Sequence, residues 1–416
     1  MSPPRDVIVL GSGIVGLCSA LCLQRDGHRV TLIDRLAPGE GTSYGNAGLI
    51  QVDAVLPIAT PGILRQVPRM LTDPEGPLVV RWRYLPRLAP WLLRFVAASR
   101  PGRVESISAA LAALLARAHE SYRPLLAAAD AEDLFSPTGE LFVYRDPAAY
   151  EAAKPDHDYR RRFGITLEDL GPAEMRQLEP ALGPDVQHGV FSPDCLRVAD
   201  PLTLSQRLAE AIARGGGTIL RETVTDIERG PDGPAAIVTD RGRHDVDRLV
   251  IAMGAFSKRW TAKLGVRVPL DTERGYHLML PSPGVELRTP LLVGDHRFGI
   301  VPMTHGVRLA GTAELASLDA PPDYRRSRML GRMAQRFVPD LRLDGAEEWM
   351  GYRPSMPDSL PVIGPAPGCE RAFLAYGHGH LGLTLGAVTG RMVADLVAGR
   401  DSEIDPAPYR ADRFQP

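Results

Sequence analysis

The sequence predicts an α/β protein that begins with a strand, a glycine-rich turn, a helix and a second strand. Val7 to Leu10 is a short aliphatic run, typical of a parallel strand buried on both faces; an apolar helix to about Arg25 and a strand from Arg29 to Ile33 follow it. Near the other end, residues 371–399 show strand, glycine loop and helix again. The middle favours a mixed sheet, because it holds short, turn-bounded strand candidates at 139–145, 186–191, 273–280, 298–302 and 306–311.

Further segments complete the predicted elements. Residues 217–227 and 248–253 are expected to be strands, and helical periodicity dominates 106–129 and 325–337. Residues 77–99 mix large apolar side chains with four arginines, and three prolines interrupt them. This mixture suits either contact with a membrane surface or packing over the rest of the protein.

Composition indicates a large, ordered protein of two domains. A chain of 416 residues that is 44% hydrophobic can bury a sizeable core. A net charge of -2 provides no basic field, so nucleic acid is not expected as a partner. The four cysteines show neither a disulfide framework nor metal-ligand spacing, so we expect a reducing compartment, no metal site, and plain packing for Cys18 and Cys22. With no secretory signal and no apolar run of about 18 residues, the expected location is the cytoplasm.

The first turn has the spacing of a dinucleotide-binding loop. Gly11 permits a tight turn, Gly13 allows close approach of a pyrophosphate, and Gly16 lets helix and strand pack together. The helix start at Ile14 supplies free N–H groups and the positive end of a dipole. Asp34 ends the second strand, where a carboxylate can accept hydrogen bonds from both ribose hydroxyls. The opening segment therefore predicts an adenine dinucleotide without a 2'-phosphate.

The segment after Asp34 favours FAD over NAD. Residues 39–51 are small and polar and lack the pattern of a third strand, which an NAD domain usually has here. Thr42, Ser43, Asn46 and Gly48 provide the donors and small residues needed to line a flat ring. An ordinary surface loop is the alternative.

Together these segments resemble the D-amino-acid oxidase-like FAD oxidoreductases, and among them the bacterial D-amino-acid dehydrogenases. The resemblance extends over essentially the whole chain. It is carried by "VIVLGSGIVGLCSA" and "VTLIDR", by "TSYGNAGLI", and by "VADPLTL", "ERGYHL", "GYRPSMPDSLPVIG" and "GHGHLGLTLGAVTGR". It implies FAD as the cofactor and a Rossmann-like FAD-binding domain of residues 1–52, 196–268 and 349–416. A mixed-sheet substrate-binding domain, residues 53–195 and 269–348, is interleaved with it.

The implied FAD contacts fall in both glycine turns, the end of the second strand, the loop at 42–49 and the strands between. They are Gly11, Gly13, Ile14, Val15, Gly16, Asp34, Arg35, Thr42, Ser43, Asn46, Ala47, Gly48, Leu49, Val224, Ala252, Gly254, Gly379, His380, Leu381, Gly382, Leu383 and Thr384. Backbone N–H groups of the second turn are expected to stabilise negative charge at the pyrimidine end of the flavin. Some relatives attach FAD through a cysteine where this chain has Gly351, so non-covalent FAD is expected.

The resemblance also implies that Arg353 holds the carboxylate of a small amino-acid or imino-acid substrate. Pro354 biases Arg353 toward an extended backbone, and a guanidinium can bind a carboxylate through two parallel hydrogen bonds. A structural ion pair is the alternative. Tyr276 is implied to face the same carboxylate, with Arg274 on the same strand face and His277 on the opposite one; simple packing of this tyrosine stays open.

The second glycine turn contains two histidines that are candidates for acid–base catalysis, and we retain His380 as the candidate. A loop histidine such as His378 or His380 can equally be a hydrogen-bonded support.

The implied reaction is oxidative deamination of a D-amino acid. The Cα hydrogen leaves as hydride to flavin N5, and water hydrolyses the resulting imine to a 2-oxo acid and ammonia. Oxidation of secondary amines, such as proline, hydroxyproline or N-methyl amino acids, is the alternative. A flavin-binding subunit without a substrate is less favoured, and modification of an RNA base conflicts with the net charge. Oxygen and a membrane quinone both stay open as electron acceptor, as does peripheral contact of 77–99 with the inner membrane.

Overall fold

The computed structural model describes residues 3–63, 73 and 75–414, and their helices and strands alternate along the chain. The α-helices of this part are α1 (Ile14–Arg25), α2 (Leu85–Ala98), α3 (Pro101–Leu115), α4 (Ala118–Ala129), α5 (Pro147–Arg162), α6 (Pro172–Leu178), α7 (Pro201–Arg214), α8 (Ser257–Lys263), α9 (Arg325–Ala334) and α10 (Gly382–Ala398). The strands are β1 (Asp6–Leu10), β2 (Arg29–Asp34), β3 (Leu49–Ile50), β4 (Leu78–Val80), β5 (Phe135–Ser136), β6 (Glu140–Tyr144), β7 (Glu168–Leu170), β8 (His188–Ser192), β9 (Leu196–Val198), β10 (Thr218–Arg221), β11 (Val224–Gly230), β12 (Gly233–Thr239), β13 (Arg243–Asp245), β14 (Arg248–Ile251), β15 (Asp271–Leu280), β16 (Leu291–Val293), β17 (Phe298–Met303), β18 (Gly306–Leu315), β19 (Glu347–Ser355), β20 (Val362–Ala366) and β21 (Cys369–Tyr376).

The first glycine turn follows β1, which lies inside a six-stranded sheet with the order β10-β2-β1-β14-β21-β20. The strands from β10 to β21 run parallel, and β20 is antiparallel to β21. Strand β1 is buried on both faces, as its aliphatic run predicts. Val7 and Val9 pack in the cluster that contains α1 and α10, while Ile8 and Leu10 pack in the cluster that contains β11 and β12.

Helices α1 and α10 lie against each other on one face of this sheet. A Cβ at Gly390 would lie 2.7 Å from the backbone C and O of Cys18, so the glycine allows this close approach. Cys18 and Cys22 are buried in the same contact, and burial raises the pKa of Cys22 to about 12. Both thiols therefore serve packing, as predicted.

The prediction of one strand over 217–227 is wrong, because the chain changes sheets within it. Strand β10 joins the six-stranded sheet, while β11 joins a three-stranded sheet with β12 and β13. Between them, the Glu222 N–H donates to the Asp34 carbonyl at 2.8 Å, and the Thr223 N–H donates to Asp240 Oδ1 at 2.8 Å. These bonds end one ladder and start the other.

A nine-stranded mixed sheet forms the second layer, with the order β19-β15-β18-β17-β16-β6-β8-β7 and β4 beside β18. Helix α9 packs on one face, where Leu330 and Met333 share a core with Leu278 and Leu280. His277 lies on the opposite face of β15 from Tyr276, as predicted: its ring stacks on Trp349, 4.9 Å between centroids. That second face looks toward the loop at 42–49.

The predicted domain boundaries remain a prediction, and the sheets bear on where they fall. Every strand of the six-stranded sheet comes from 1–52, 196–268 or 349–416. The boundary at 349 falls inside β19, which belongs to the nine-stranded sheet.

Residues 77–99 form the edge strand β4, a short turn and helix α2. Leu88 and Trp91 of the helix are buried against Leu315 of β18. Among the described residues, no helix has both the length and the apolar character that crossing a membrane requires.

Candidate active site

The first glycine turn is packed so tightly that only glycine fits at two positions. Gly11 has φ of 103°, and a Cβ there would overlap the Ala252 carbonyl at the end of β14. A Cβ at Gly16 would overlap the Gly11 carbonyl. The Ser12 N–H donates to Asp34 Oδ2 at 2.7 Å, which fixes this carboxylate beside the turn. The turn therefore presents bare backbone and one acid to the same space.

The loop at 42–49 closes over the start of α1. Ser43 Oγ accepts the Ile14 N–H at 2.9 Å, so this first helix amide is already satisfied by the protein. The guanidinium of Arg308 donates to the Tyr44 carbonyl at 2.8 Å and to the Asn46 carbonyl at 2.6 Å. These bonds hold the loop between the two large sheets.

The second glycine turn joins the start of α10 to the strand that carries Arg353. Gly379 has φ of 56°, and its N–H donates to the Pro354 carbonyl at 2.8 Å. Thr384 Oγ1 accepts the Gln51 N–H at 3.1 Å and donates to the Leu49 carbonyl at 3.2 Å. The first amides of an α-helix have no partner within the helix. The start of α10 therefore offers backbone donors where β3, β19 and the turn meet.

These parts border one cavity of about 2460 Å³. The predicted FAD residues that line it are Gly11, Gly13, Ile14, Val15, Asp34, Arg35, Thr42, Ser43, Asn46, Ala47, Leu49, Val224, Ala252, Gly254, Gly379, His380, Gly382 and Leu383. Four others do not line it: Gly16, Gly48, Leu381 and Thr384. Gly16 and Thr384 make the internal contacts described above, and Gly48, with φ of 68°, packs against the Val198 carbonyl.

The cavity has the features that an adenine dinucleotide requires. Gly254 and Gly379 both have positive φ, and a Cβ at either would meet no atom of the described residues within 4 Å, so bare backbone borders open space there. Both helix starts line the cavity, and Asp34 lies beside the first. The donor set therefore fits a molecule with a pyrophosphate in its middle and a ribose near Asp34.

Arg353 lies on the cavity face of β19, next to the second glycine turn. Its Nη1 donates to the Thr312 carbonyl at 2.8 Å, and its Nη2 approaches the Gly311 carbonyl at 3.5 Å. The guanidinium lies directly over Gly275, where a Cβ would be 2.5 Å from Cζ. Desolvation lowers the pKa of Arg353, and the charge of Glu273, its cross-strand neighbour, opposes that shift. Burial likewise raises the pKa of Glu273.

Tyr276 and Arg274 are held in a buried network around Glu314. The Tyr276 hydroxyl donates to Glu314 Oε2 at 2.6 Å and accepts the Asp323 N–H at 3.0 Å. Arg274 is fully buried, with Nη1 3.4 Å from the same Oε2. Both side chains lie on the α9 face of β15, whereas Arg353 lies on the other face. Tyr276 nevertheless lines the same cavity as Arg353, whereas Arg274 does not.

The two histidines of the second turn differ in their surroundings. His380 lines the cavity, so it is accessible from inside although protein surrounds it, and desolvation with the charge of Arg353 lowers its pKa to about 4. His378 is buried, with Nε2 2.9 Å from Thr389 Oγ1, and burial lowers its pKa to about 3. The structure thus brings His380 and Arg353 together and makes His378 a support.

A buried polar cluster behind Gln51 gave no signal in the sequence. Gln51 lines the cavity, and its Nε2 donates to both carboxyl oxygens of Glu140 at 3.1 and 3.2 Å. Asp53, Glu140 and Cys195 are buried, with their potential ligand atoms all within 4.8 Å of one another. Burial and the charge of Asp53 raise the pKa of Glu140 well above its usual range. Positions so far apart in the chain carry no spacing that would indicate their contact.

Two further residues beside Arg353 escaped prediction. Gly275 leaves the space that the guanidinium occupies, and Thr312, with φ of 58°, presents the carbonyl that Arg353 binds. A glycine inside a strand often marks a close approach, so Gly275 carried a readable signal. Nothing in the sequence indicates the left-handed backbone of Thr312.

Two helix starts, a glycine turn with a fixed acid and a guanidinium inside the cavity define a dinucleotide-dependent enzyme site. The model of the family described as FAD dependent oxidoreductase matches residues 6–396. The chain belongs to this family, and FAD is its cofactor.

Curated relatives and solved structures agree with this assignment. The chain is 37% identical to a D-amino-acid oxidase of Bradyrhizobium diazoefficiens over 100% of both chains. It is 34% identical to a D-amino acid dehydrogenase of Paramagnetospirillum magneticum over 98% of each. Among solved structures, an L-proline dehydrogenase from P. horikoshii has a TM-score of 0.75 at 18% identity, with 100% of this chain and 99% of that one covered. A glycine oxidase from Geobacillus kaustophilus has a TM-score of 0.74 at 23% identity over 100% of both, and both likenesses show the fold.

Proposed function

We propose that this chain oxidises D-amino acids to 2-oxo acids and ammonia with FAD. The observation that carries the proposal is the Arg353 guanidinium, which is held over Gly275 inside the cavity beside the start of α10. Relatives named D-amino-acid oxidase and D-amino acid dehydrogenase, similar over the full length, support the substrate class.

Arg353 is assigned to bind the substrate carboxylate. A guanidinium has five N–H donors, and the carbonyls of Gly311 and Thr312 account for two of them. Arg353 lines the cavity, where a carboxylate can accept two parallel hydrogen bonds from the donors that remain. Fixing the carboxylate limits the orientations of the substrate, so its Cα is presented in one direction.

FAD, when bound, supplies the two-electron acceptor for the Cα hydrogen. The residues that would hold it are the cavity-lining members of the two glycine turns and of the loop at 42–49. His380, with its pKa near 4, is neutral at neutral pH. His380 therefore adds no positive charge beside the substrate amine, and one of its ring nitrogens can accept a hydrogen bond from that amine.

Residues of segment 77–99 line the same cavity. The Trp91 Nε1–H donates to the Ser355 carbonyl at 3.2 Å, and the Tyr84 hydroxyl donates to Asp271 at 2.9 Å. Ser355 lies in β19 with Arg353, and Asp271 lies in the neighbouring strand β15. Segment 77–99 is thus anchored to the strand that carries Arg353 and to the strand that carries Gly275.

Anaerobic mixing with amino acids tests the proposal. D-amino acids should remove the visible absorbance of the bound flavin, while their L-enantiomers leave it unchanged. Activity on N-methyl amino acids or cyclic imino acids alone would favour the alternative, oxidation of secondary amines. No loss of absorbance with any amine would contradict both and favour a flavin-binding subunit.

FAD is proposed to be non-covalent, because Gly351 replaces the cysteine that attaches the cofactor in some relatives. Acid precipitation should release all of the yellow colour into the supernatant. Colour retained on the precipitated protein would contradict this proposal.

The electron acceptor is proposed to be oxygen or a membrane quinone, with the quinone tied to contact of 77–99 with an inner-membrane surface. Trp82 and Leu93 are 68% and 73% exposed, and Arg83, Arg87 and Arg94 lie beside them on the exposed side. Such a surface suits anionic lipid. Sedimentation with anionic but not neutral vesicles, lost on Trp82→Ser with Leu93→Ser, would support it; reoxidation by air as fast as by quinone would favour oxygen.

A further inference from the structure

One row of residues crosses the nine-stranded sheet on the face that carries Arg353. His277 pairs with Trp349 on one side and with Ala310 on the other. The pairing continues from Ala310 to Gly299, then to Leu292 and Phe142. Directly paired residues point to the same face of a sheet. Apart from His277, all of these residues line the cavity.

This row starts beside the proposed carboxylate-binding group. The Arg353 guanidinium reaches the Gly311 carbonyl, and Ala310 is the next residue along that strand. Neighbouring strands lie about 4.8 Å apart. Gly299 is therefore about one strand spacing from the end of the guanidinium, and Leu292 and Phe142 follow at one and two further spacings. Substituents on the Cα of a bound substrate fall within this distance.

On the other side of Arg353 the space is already filled. A Cβ at Gly351 or at Gly45 would overlap the indole ring of Trp349, so this ring covers the sheet edge there. A substrate held by Arg353 consequently has room toward Gly299 and not toward Trp349.

Gly299 leaves that room although neither its backbone nor its packing requires a glycine. Its φ is outside the left-handed region, and a Cβ would meet Val301 Cγ2 at 3.4 Å and Leu292 Cδ2 at 3.5 Å, which are ordinary contacts. The missing side chain thus opens a depression in the cavity wall. Its borders, Leu292 and Phe142, are apolar.

The far end of the row carries the cation of Arg160, and the acids Asp156 and Asp295 also line the cavity. The Arg160 Cζ lies 5.2 Å from the centroid of the Phe142 ring, and both residues line the cavity. The neighbouring ring of His157 has a pKa lowered to about 4, chiefly by burial, so it is neutral at neutral pH. A lysine-like side chain would place its ammonium against apolar carbon beside the Arg160 cation, which costs free energy, whereas an aromatic or branched one would meet apolar carbon.

We propose that Gly299, Leu292 and Phe142 form the side-chain subsite of the enzyme, and that it selects D-amino acids with bulky apolar side chains over small and cationic ones. The inference rests on the proposed function, since it places the carboxylate at Arg353.

The test compares kcat/KM for D-phenylalanine, D-leucine, D-alanine and D-lysine. The unmodified enzyme should prefer the two bulky apolar substrates to D-alanine by at least about tenfold, because each well-packed methylene contributes roughly that much. Gly299→Val should reduce kcat/KM for the bulky substrates about tenfold or more, through KM, with a much smaller loss for D-alanine. The losses of kcat/KM in Gly299→Ala should lie between those of the unmodified enzyme and those of Gly299→Val.

Gly242→Val is the matched control, because Gly242 lies in the β12–β13 turn, where a Cβ would meet no atom of the described part of the chain within 4 Å. It should leave all four substrate ratios unchanged, and the FAD content of each variant reports its folding. A preference for D-alanine or D-lysine in the unmodified enzyme, or an equal loss for all substrates in Gly299→Val, would overturn the inference alone. Failure of every amino acid to reduce the flavin would instead overturn the proposed function.

Discussion

Because Gly275 contacts Arg353, the substitution Gly275→Ala tests whether Arg353 binds the substrate carboxylate. A Cβ at position 275 would lie 2.5 Å from Cζ and Nη2 of Arg353 and 2.8 Å from Nε. The φ of Gly275 is not in the left-handed region, so alanine is compatible with the backbone there. In Gly275→Ala the strand can stay in place, and the guanidinium must move.

The size of the effect follows from these distances. Carbon atoms in contact lie about 3.5–4.0 Å apart, so the guanidinium must shift by roughly 1 Å. Such a shift removes the bond to the Thr312 carbonyl, now 2.8 Å, and spoils a two-point contact with a carboxylate. A hydrogen bond to a charged group contributes about 1.5–3 kcal/mol, which corresponds to a loss of roughly ten- to a hundredfold in kcat/KM.

A double-mutant cycle separates this displacement from a general loss of structure. Arg353→Ala should itself reduce kcat/KM about ten- to a hundredfold, and Gly275→Ala should add little in that background, because both changes remove the same contact. Inhibition by propionate, a carboxylate without an amine, should weaken in parallel. Gly242→Ala controls for the extra methyl group.

Two results would refute the reasoning. If Gly275→Ala keeps its kcat/KM, the guanidinium does not need its present position for activity. If the two losses add fully, Gly275 acts through something other than Arg353.

Other predictions follow from the surroundings of Tyr276, His378 and Asp34. Tyr276→Phe should leave kcat/KM within about threefold but reduce the free energy of unfolding by about 1–3 kcal/mol, because Glu314 loses a buried donor; a loss of activity with unchanged stability in urea would instead place the hydroxyl on the substrate. The folded-state pKa of His378, about 3, lies below the ordinary value of about 6.5, so its contribution to stability is complete above pH 6.5 and is lost as the pH falls toward 3. Urea unfolding from pH 7 to 4 should therefore depend less on pH in His378→Asn, by up to about 1.4 kcal/mol per pH unit, and equal slopes would contradict the burial of a neutral ring. Asp34→Ala should weaken FAD binding about tenfold or more in fluorescence titrations, because the carboxylate next to the turn is lost; unchanged affinity would place the ribose elsewhere.

Local signals in the sequence were sufficient for the elements around the first turn. The aliphatic strand, the glycine spacing and the apolar helix each act within a few residues, and β1, α1 and β2 form as predicted. The second turn and α10 followed from the same signals. In contrast, the two strands within 217–227 could not be separated, because the bonds that divide them lead to Asp34 and Asp240, which are distant in the sequence.

The substrate site depended on register, which the sequence does not encode locally. Alternation along β15 correctly separated Tyr276 from His277, yet it could not show which of the two faces Arg353 shares. That depends on the pairing of Glu273 with Arg353 across two strands far apart in the chain, and on an irregularity between Arg274 and Tyr276 where β15 meets β18. A one-residue shift in such pairing moves every side chain to the other face. The motifs therefore located the strand that carries each residue, but not the face of the sheet to which its side chain points.

Gly275 and Gly299, both on the cavity face of this sheet, have different roles although neither has a side chain. At Gly275 the missing side chain is replaced by the guanidinium of Arg353, so the space is filled by protein and fixes a charge. At Gly299 the described residues leave room for a Cβ, which would make only ordinary contacts with the apolar side chains of Val301 and Leu292. A methyl group at the first position should therefore impair every carboxylate substrate equally, while the same group at the second should impair substrates in proportion to their side chains. The comparison of Gly275→Ala with Gly299→Ala across one set of D-amino acids thus separates binding of the common carboxylate from selection of the variable side chain.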